Sequence, residues 1–389
     1  MKKNHLLLFL LLLCATTKAQ MHGYNTNFDF SQRDFCDTIP LDIENDQLYI
    51  NVTMNGERHR FNLDTGSSQG MVYERAHIGN WKELGKVISR DANNDLDTVK
   101  VIQLPPFSMG PLTVSHYVAS VIPHPMAHNK YDAIIGFDFF NKGLCAKIDA
   151  RRKIMIITDR RHAFDGETGY TVKYKLKWFV PYLLVSPFIR HVDEALFDMG
   201  SRPLYTMNKQ NFDEHAYMSK NVGSQVTGIA KGHLAIGNYG TEQMDEVAFL
   251  NLDRLKWGDF SFCRVRAITT QGSSRIGAQL LKYGSVIINP YQKSITFQPF
   301  DSPDSVVVNN KIPDVAFVPV DGRATVGLIR QESKAYKAGM RQGDTIIAID
   351  GKPIYSFEDF TRFPFVEGRQ NTFLLRDEKG KMKKISIER

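Results

Sequence analysis

The fold of this chain is decided by Phe61-Asn62-Leu63-Asp64-Thr65-Gly66-Ser67-Ser68, a stretch that recurs as Leu196-Phe197-Asp198-Met199-Gly200-Ser201-Arg202. In both copies, apolar strand residues lead to one aspartate, and a Gly-Ser turn follows it. A single motif of this kind is usually an ordinary turn in which the aspartate caps its own loop. Because it occurs twice, with Asp198 134 positions after Asp64, we predict two lobes that bring two carboxyl groups together.

The repeat extends beyond this motif. The first half continues with Ile134-Ile135-Gly136 and has Gly143 seven positions later, and the second continues with Arg275-Ile276-Gly277 and has Gly284 seven positions later. A third landmark lies between the other two in each half, as Phe107-Ser108-Met109-Gly110-Pro111-Leu112 and Lys256-Trp257-Gly258-Asp259-Phe260. Strand patterns and turn residues dominate both halves. Three landmarks in the same order therefore predict a duplicated unit and an all-β fold.

Turn signals divide the rest of the chain. The segment from Leu48 to Met54 alternates like a strand, Asn55-Gly56 is typical of a hairpin turn, and the return strand ends at Asp64. A polar linker follows the second half. We predict a signal peptide at 1–19, lobes at 20–165 and 166–302, a linker at 303–312 and a third unit at 313–389.

The N-terminus is typical of an export signal. Lys2-Lys3 precede an apolar run from Leu6 to Leu13, and Thr17-Lys18-Ala19 fits cleavage before residue 20. The run is too short to span a bilayer comfortably, and no other segment approaches that length. We therefore expect an exported monomer, periplasmic, secreted or at the cell surface, with no integral membrane segment after cleavage.

Charge and cysteines exclude several function classes. The net charge of +7 falls to about +4 without the three lysines of the signal, and the remaining basic residues are scattered, which does not indicate nucleic acid. The mature chain keeps Cys36, Cys145 and Cys263, so at least one thiol of a monomer is unpaired. We interpret them as buried small hydrophobic residues and leave their disulfide state open.

Motifs for other chemistries are missing from the sequence. We find no Gly-x-x-x-x-Gly-Lys-Ser/Thr and no Gly-x-Gly-x-x-Gly after a strand. His-Glu-x-x-His and Cys-x-x-Cys are also missing. We therefore predict no metal and no cofactor.

The two halves resemble the lobes of aspartic proteases of the pepsin and retropepsin group, most closely the bacterial retropepsin-like proteins. The residues Asp64-Thr65-Gly66-Ser67-Ser68 match the catalytic turn of that family. Its paired hydrophobic-hydrophobic-Gly elements are similar to Ile134-Ile135-Gly136 and Ile276-Gly277. The resemblance covers roughly residues 40–300 and implies a bilobal double β-barrel, an aspartic endopeptidase with a polypeptide substrate, and Asp64 and Asp198 as its catalytic residues.

The family's chemistry explains the residue types around the aspartates. Two carboxyl groups in contact cannot both ionise cheaply, so they share a proton; one acts as base on water and the other polarises the peptide carbonyl. Gly66 and Gly200 are expected to let the backbone turn tightly. Ser67 and Ser201 are expected to donate hydrogen bonds to the outer carboxylate oxygens, which predicts activity at mildly acidic pH.

The second copy departs from the family pattern. The residue after each aspartate is usually Thr or Ser, whose hydroxyl bonds to the opposite loop; Thr65 fits and Met199 does not. One such bond is worth about 0.5 to 1.5 kcal/mol. Arg202 is expected to add a positive charge near the pair. The departure leaves open a second function, a catalytically inactive scaffold of the same fold that binds peptides.

The C-terminal unit resembles a PDZ domain. Gly327-Leu328-Ile329 is followed, between Ser333 and Ile354, by a short amphipathic helix, a Gly-Asp turn, a buried strand and an Asp-Gly turn. PDZ domains bind extended peptides by adding a strand to a sheet edge, so we expect a peptide ligand or tethered substrate. No carboxylate-binding loop of the Gly-Leu-Gly-Phe type is evident from Phe317 to Val320, which leaves an internal or intramolecular ligand equally open.

One further element has two interpretations. The segment from Lys86 to Ile102 is compatible with the family's flap and equally with an ordinary surface hairpin. Sequence does not determine the cleavage specificity, the natural substrate, or whether residues 20–45 contain a propeptide.

Overall fold

The computed structural model describes residues 26–76, 78–79, 81–122, 131–366 and 368–388 of the 389-residue chain. The predicted signal peptide lies outside this part. No helix within the described ranges is long and apolar enough to cross a membrane.

The first half consists of short strands separated by turns. The predicted hairpin turn at Asn55-Gly56 has positive φ at both residues, 52° and 82°, as a two-residue type I′ turn requires. The strands are β1 (Asp29–Phe30), β2 (Cys36–Pro40), β3 (Asp42–Glu44), β4 (Gln47–Met54), β5 (Glu57–Leu63), β6 (Gly70–Tyr73), β7 (Lys82–Arg90), β8 (Leu96–Gln103), β9 (Phe107–Met109), β10 (Leu112–Ser115), β11 (Val118–Ile122), β12 (Ala133–Ile135), β13 (Cys145–Asp149) and β14 (Ile154–Thr158).

The second half and the third unit are also rich in strands. The second half contains β15 (Tyr170–Lys177), β16 (Val180–Phe188), β17 (His191–Asp198), β18 (Tyr205–Asn208), β19 (Val226–Gly232), β20 (Asp245–Trp257), β21 (Phe260–Thr270), β22 (Arg275–Gly277), β23 (Gly284–Asn289), β24 (Ser294–Pro299) and β25 (Ser305–Val307). The third unit contains β26 (Val315–Val320), β27 (Arg323–Ile329), β28 (Thr345–Ile349), β29 (Lys352–Pro353), β30 (Gln370–Arg376) and β31 (Met382–Glu388).

Helices are few and short in the described part. They are α1 (Asp138–Asn141), α2 (Lys209–Met218), α3 (Lys220–Gly223), α4 (Lys334–Lys337) and α5 (Phe357–Arg362), with 3₁₀ turns at Glu74–Ala76 and Ala278–Lys282. Ser333 caps α4, and Ser356 and Asp359 form a capping box on α5.

Two large sheets form the body of the molecule. The first runs in the order β1-β10-β9-β4-β5-β12-β6-β11-β8-β7, with β3 beside β4. The second runs β19-β20-β21-β18-β22-β17-β16-β15-β24-β23-β13-β14-β2, with β25 beside β21. In the second sheet β20 also pairs with β16, which closes six of its strands into a ring.

The second sheet includes strands from both halves. From the first half, β2, β13 and β14 join it, and Lys147 of β13 lies opposite Ile287 of β23. The predicted boundary at 165 and 166 therefore separates the repeats in sequence, whereas the sheet crosses it. The N-terminal strands β1 to β3 are also part of the two sheets, and Phe28, Phe35 and Ile39 beside them are buried. Any propeptide cut after these residues would remove part of the core.

The third unit has its own sheet, in the order β26-β27-β28-β30-β31 with β29 beside β28. It packs against the second half through an apolar cluster that includes Leu328 of the third unit with Phe249 and Ile268 of the second half. The His233 N–H donates to Gly327 O at 3.0 Å, so a backbone bond joins the two units. The predicted all-β fold, two duplicated lobes and a further β unit, is confirmed.

Within the described residues, Cys36, Cys145 and Cys263 are free thiols with different surroundings. Cys145 is buried, as we predicted for all three, and burial raises the pKa of its thiol to about 11. Cys36 is exposed and Cys263 is partly exposed, so for them the prediction is wrong. Cys36 begins the edge strand β2, where one side of the strand faces solvent.

Candidate active site

Each predicted catalytic aspartate lies at the end of a strand that pairs in parallel with the Ile-Gly strand of its own half. In the first half, Leu63 of β5 lies opposite Ile135 of β12, and the Asp64 N–H donates to Ile135 O at 3.0 Å. In the second half, Asp198 of β17 lies opposite Gly277 of β22. The two carboxyl groups are therefore fixed by sheet geometry.

The glycines of the Ile-Gly strands allow close contact with the aspartate turns. A Cβ on Gly136 would lie 2.7 Å from Ser67 O, and one on Gly277 would lie 2.5 Å from Ser201 O. Real Cβ atoms do not approach so closely. Glycine is therefore required at these two positions for lack of space.

The structure brings Asp64 and Asp198 together. Their side chains share a hydrogen bond, and each glycine of the motif faces the opposite carboxyl group. A Cβ on Gly66 would lie 2.6 Å from Asp198 Cγ, and one on Gly200 would lie 2.4 Å from Asp64 Cγ. The lack of side chains on both glycines lets the carboxyl groups meet.

The environment favours a neutral Asp64. Burial raises the pKa of this carboxyl well above its usual range, and the charge and hydrogen bond of Asp198 raise it further. Hydrogen bonds from the Gly66 and Ser67 N–H groups act in the opposite direction. The pair is consequently suited to holding one proton under conditions in which an exposed carboxyl would lose it.

Backbone amides, more than serine hydroxyls, hold the second carboxylate. Asp198 Oδ1 accepts the N–H of Gly200 at 3.0 Å and that of Ser201 at 3.1 Å. In the first half the Gly66 N–H donates to Asp64 Oδ1 at 2.8 Å.

The Ser67 hydroxyl differs from the prediction. It donates to Gln69 O at 2.7 Å, because that carbonyl lies within the same turn. The Ser201 residue bonds to Asp198 through its N–H. Both serines therefore stabilise the turns, but neither bond shown here is the predicted one from a serine hydroxyl to an aspartate.

Thr65 joins the two turns and Met199 does not. The Thr65 hydroxyl donates to Phe197 O at 2.7 Å and accepts the Met199 N–H at 2.9 Å. Met199 has no hydroxyl to form the reciprocal pair and instead lies fully buried in the core. The halves are held in register by one side chain where the family pattern has two.

The predicted charge near the pair comes from a different arginine. Arg202 Nη2 donates to Gln47 Oε1 at 3.0 Å, and Gln47 Nε2 donates to Gly200 O at 3.3 Å, so Arg202 supports the turn. Arg275 Nε lies 3.5 Å from Asp198 Oδ2. The sequence analysis did not identify Arg275. The repeat contained a signal for it, because the residue before Ile-Gly is Ile134 in the first half and Arg275 in the second.

Three tyrosines form a cluster, and one of them, Tyr131, lies near Asp64. The ring centroid of Tyr131 is 5.7 Å from that of Tyr49 and 5.6 Å from that of Tyr73. Burial raises the pKa of Tyr131 well above its usual range, and Tyr73 and Asp64 add to the effect. The sequence carried no signal for this cluster, because its members come from separate strands and a loop.

The segment with two interpretations forms a hairpin whose tip reaches the second half. We call residues 82–103, which include β7 and β8, the cover hairpin, and residues 91–95 its tip. The tip contacts Arg275, which donates from Nη2 to Ala92 O at 2.7 Å. It is therefore placed over the Asp198 side of the pair, which favours the first interpretation.

The third unit presents a sheet edge beside a helix. β26 lies at the end of its sheet and pairs with β27. The Phe317 ring on β26 lies 4.7 Å from that of Phe360 on α5, measured between centroids. An edge strand next to a helix is the arrangement to which a peptide adds as a further strand.

Metal-binding groups do not assemble in the described residues. No set of three or more His, Cys, Asp and Glu side chains there has an arrangement that could hold a metal ion.

Comparison with known proteins identifies two segments. Residues 50–139 match the family described as aspartyl protease, and residues 325–363 match the PDZ domain. The first match contains Asp64 and ends before Asp198. The aspartic proteinase of Irpex lacteus aligns with a TM-score of 0.45 and 10% identity over 69% of this chain and 98% of that chain, a similarity too low to carry an argument. A search of curated proteins found no match.

Proposed function

We propose that this chain, which contains an aspartyl protease domain and a C-terminal PDZ domain, is an exported aspartic endopeptidase. The observation that carries the proposal is the contact of two carboxyl groups, each facing a glycine of the other turn. Export to the periplasm, the cell surface or the medium rests on the sequence of residues 1–19.

The proposed reaction uses Asp64 and Asp198 as acid and base. Asp198 accepts a proton from a water bound between the carboxyl groups, while the protonated Asp64 donates a hydrogen bond to the peptide carbonyl oxygen. The water oxygen bonds to the carbonyl carbon, and the carbonyl oxygen takes the proton of Asp64. The C–N bond then breaks as the nitrogen receives the proton from Asp198, and Asp64 takes back a proton from one of the two hydroxyl groups on the carbon, which releases an amine and a carboxylic acid and restores the starting pair.

The supporting residues have distinct roles in this proposal. Thr65 holds the turns in register, Gly66 and Gly200 provide space, and the Ser201 N–H orients the base. Met199 is a packing residue. The PDZ unit would offer the edge of β26 to a peptide, as a tether for substrate.

The test is a digest of casein or a peptide library from acid to neutral pH. We expect Asp64→Asn and Asp198→Asn each to lower the rate about 1000-fold, because general acid-base catalysis is lost. The matched control is Asp253→Asn, since Asp253 is exposed on β20, and it should cleave like wild type. Loss with Asp64→Asn alone would instead indicate dimerisation through the first lobe.

A catalytically inactive peptide-binding scaffold is the second candidate. Met199 and the ion pair between Arg275 and Asp198 favour it, because both depart from a free, symmetric pair. If the wild type and Asp64→Asn cleave the same substrates, or neither cleaves any, the protease proposal fails and the scaffold replaces it. Peptides would then bind wild type and both Asn variants with similar affinity.

A further inference from the structure

Arg275 joins the candidate base to the cover hairpin with one side chain. Its Nε lies 3.5 Å from Asp198 Oδ2, and its Nη2 donates to Ala92 O at 2.7 Å. The side chain is 14% exposed and that of Asp198 is 13% exposed, so solvent screens the pair only partly. A Cβ on Gly272 would lie 2.7 Å from Arg275 Nη2, so a bare backbone segment leaves room for the guanidinium.

A turn of the second half holds the same tip from its other side. We call residues 236–241 the clamp turn, in which Ile236 and Thr241 form a β-bridge. The Tyr239 N–H donates to Asp91 Oδ2 at 3.0 Å, and Asn93 Nδ2 donates to Gly240 O at 3.1 Å. The tip therefore cannot move from the site without breaking bonds to two elements of the second half.

The arrangement is specific to one half. The first half has Ile134 at the position of Arg275, and Ile134 is buried with 4% exposure. The strand geometry of the Ile-Gly element thus forms without a charge. Arg275 is not needed for that geometry, which leaves its two contacts to be explained.

We propose that Arg275 is a positioning residue that orients the Asp198 carboxyl group and anchors the tip of the cover hairpin, so that hairpin opening and the contact of Arg275 with Asp198 are coupled. A planar guanidinium can serve a carboxylate and a carbonyl at once, because its N–H groups point in fixed and different directions. Loss of the Asp198 charge removes one of these contacts and weakens the anchor. Opening of the tip removes the other and frees the guanidinium to turn away from Asp198.

Other ionisable groups near this contact are accounted for. Asp64 shares a hydrogen bond with Asp198. On the tip, Asp91 accepts from the clamp turn, and Asp95 Oδ2 lies beside Gly240 of the same turn. The tip carboxylates thus face the clamp turn, and the direct contact of Arg275 with the pair is to Asp198.

The first experiment does not depend on catalysis. Hydrogen exchange of the full chain is followed for the clamp turn, where the Tyr239 N–H is protected by Asp91. We expect Arg275→Met to speed this exchange roughly tenfold, the effect of losing about 1.4 kcal/mol of anchoring. Arg266→Met, an exposed arginine on β21, is the matched control and should leave it unchanged.

The coupling predicts that Asp198→Asn also speeds exchange at the clamp turn, by a smaller factor than Arg275→Met. Exchange in β30 and β31 of the third unit should stay the same in all variants, as a measure of global stability. Unchanged exchange in Arg275→Met overturns the anchor, and unchanged exchange in Asp198→Asn overturns the coupling.

The second experiment rests on the proposed function and measures the pH profile of peptide cleavage. Without the positive charge beside it, the carboxyl pair as a whole ionises less readily, so the acid limb of kcat should move to higher pH in Arg275→Met. Arg275→Lys should restore the acid limb, because it keeps the charge, and only part of the clamp-turn protection. An acid limb that is the same in Arg275→Met and wild type contradicts the proposal. If no variant cleaves while the exchange results hold, the protease function fails and the anchor stands.

Discussion

The two halves have the same backbone at the aspartates and different side chains around them. Gly70 and Leu204 each follow their aspartate by six positions, and each donates its N–H to a side chain just after the Ile-Gly strand. The acceptor is Asp138 Oδ2 at 3.3 Å in the first half and Gln279 Oε1 at 3.1 Å in the second. The backbone therefore requires an acceptor at this place, and an amide serves it as well as a carboxyl group.

A second difference concerns the bonds between the halves. Thr65 crosses to the second half with both a donated and an accepted bond, and Met199 packs in the core. Charge is distributed unevenly as well, since Arg275 takes the place of Ile134. The first half provides the hydroxyl that bonds across to the other turn, and the second half provides the charged side chain next to its aspartate. The two copies of the unit therefore have different roles at the site.

The largest expected effect tests what the halves share. Gly66→Ala and Gly200→Ala each add a Cβ within 2.6 Å of the opposite carboxyl carbon, so the two aspartates must separate. We expect cleavage to fall about 100-fold or more, because a displacement of that size misaligns reacting groups. Unfolding free energies should fall by about 1 to 3 kcal/mol through overpacking.

The control for the glycine variants is Gly166→Ala, since no atom lies within 4 Å of the added Cβ. It should match wild type in rate and stability. Rates of Gly66→Ala and Gly200→Ala near wild type would show that the carboxyl contact is not needed for cleavage.

The next prediction concerns Asp138 of the first half, whose counterpart in the second half is the uncharged Gln279. Burial raises the pKa of Asp138 to about 7, although hydrogen bonds from Tyr117, Gly70 and Phe139 lower it. An unfolded chain loses this proton near the usual aspartate pKa of about 4, so it binds fewer protons than the folded chain between about pH 4 and 7. Folding stability from this group is therefore full below pH 4 and falls as pH rises to 7, by as much as about 4 kcal/mol.

Urea unfolding at pH 4.5, 6 and 8 measures this effect as the difference between wild type and Asp138→Asn. The deficit of the variant should shrink or reverse as pH rises, because Asn cannot ionise. Gln279→Asn in the second half is the counterpart without a charge, and its difference from wild type should not change with pH. A constant difference for Asp138→Asn would mean that Asp138 is already ionised in the folded protein at acid pH.

The sequence predicted the features that repeat locally. Asp64 and Asp198 were found because a strand, one carboxylate and a Gly-Ser turn are contiguous, and the Ile-Gly strands because they recur at the same distance. The role of Ser67 was not predicted correctly, since its hydroxyl had a choice between Asp64 and Gln69 O that only the turn geometry decides.

Partners that are distant in sequence could not be predicted. The pattern of β13 indicates a strand, but the alternation of its side chains does not show that β23 of the other half is its neighbour. The contact of Arg275 with Ala92 joins residues 183 positions apart and depends on how the lobes pack. The only sequence signal for this contact was that the second repeat has Arg275 at the position where the first repeat has Ile134.

A smaller effect is expected at the residue that locks the halves. Thr65→Val keeps the shape of the side chain and removes both bonds, which leaves the Met199 N–H and Phe197 O without their partner. A buried group left without a hydrogen-bond partner costs about 1 to 3 kcal/mol, so we expect a loss of about 3 kcal/mol in unfolding free energy. Thr65→Ser retains the hydroxyl and should lose less than half as much. Equal losses in the two variants would assign the effect to packing alone.

The smallest effect is expected for Met199→Thr, which gives the second half the hydroxyl that it lacks. Met199→Thr removes volume from a fully buried site, which costs stability, and offers a hydroxyl to the opposite turn, which returns about 0.5 to 1.5 kcal/mol if the bonds form. Met199→Val has nearly the same shape without the hydroxyl, so the comparison of the two isolates the bonds. We expect both variants to be less stable than wild type in urea, and Thr to be more stable than Val by about 1 kcal/mol. If Thr is instead the less stable of the two, its hydroxyl is buried without a partner, and the second turn has diverged in backbone as well as in side chain.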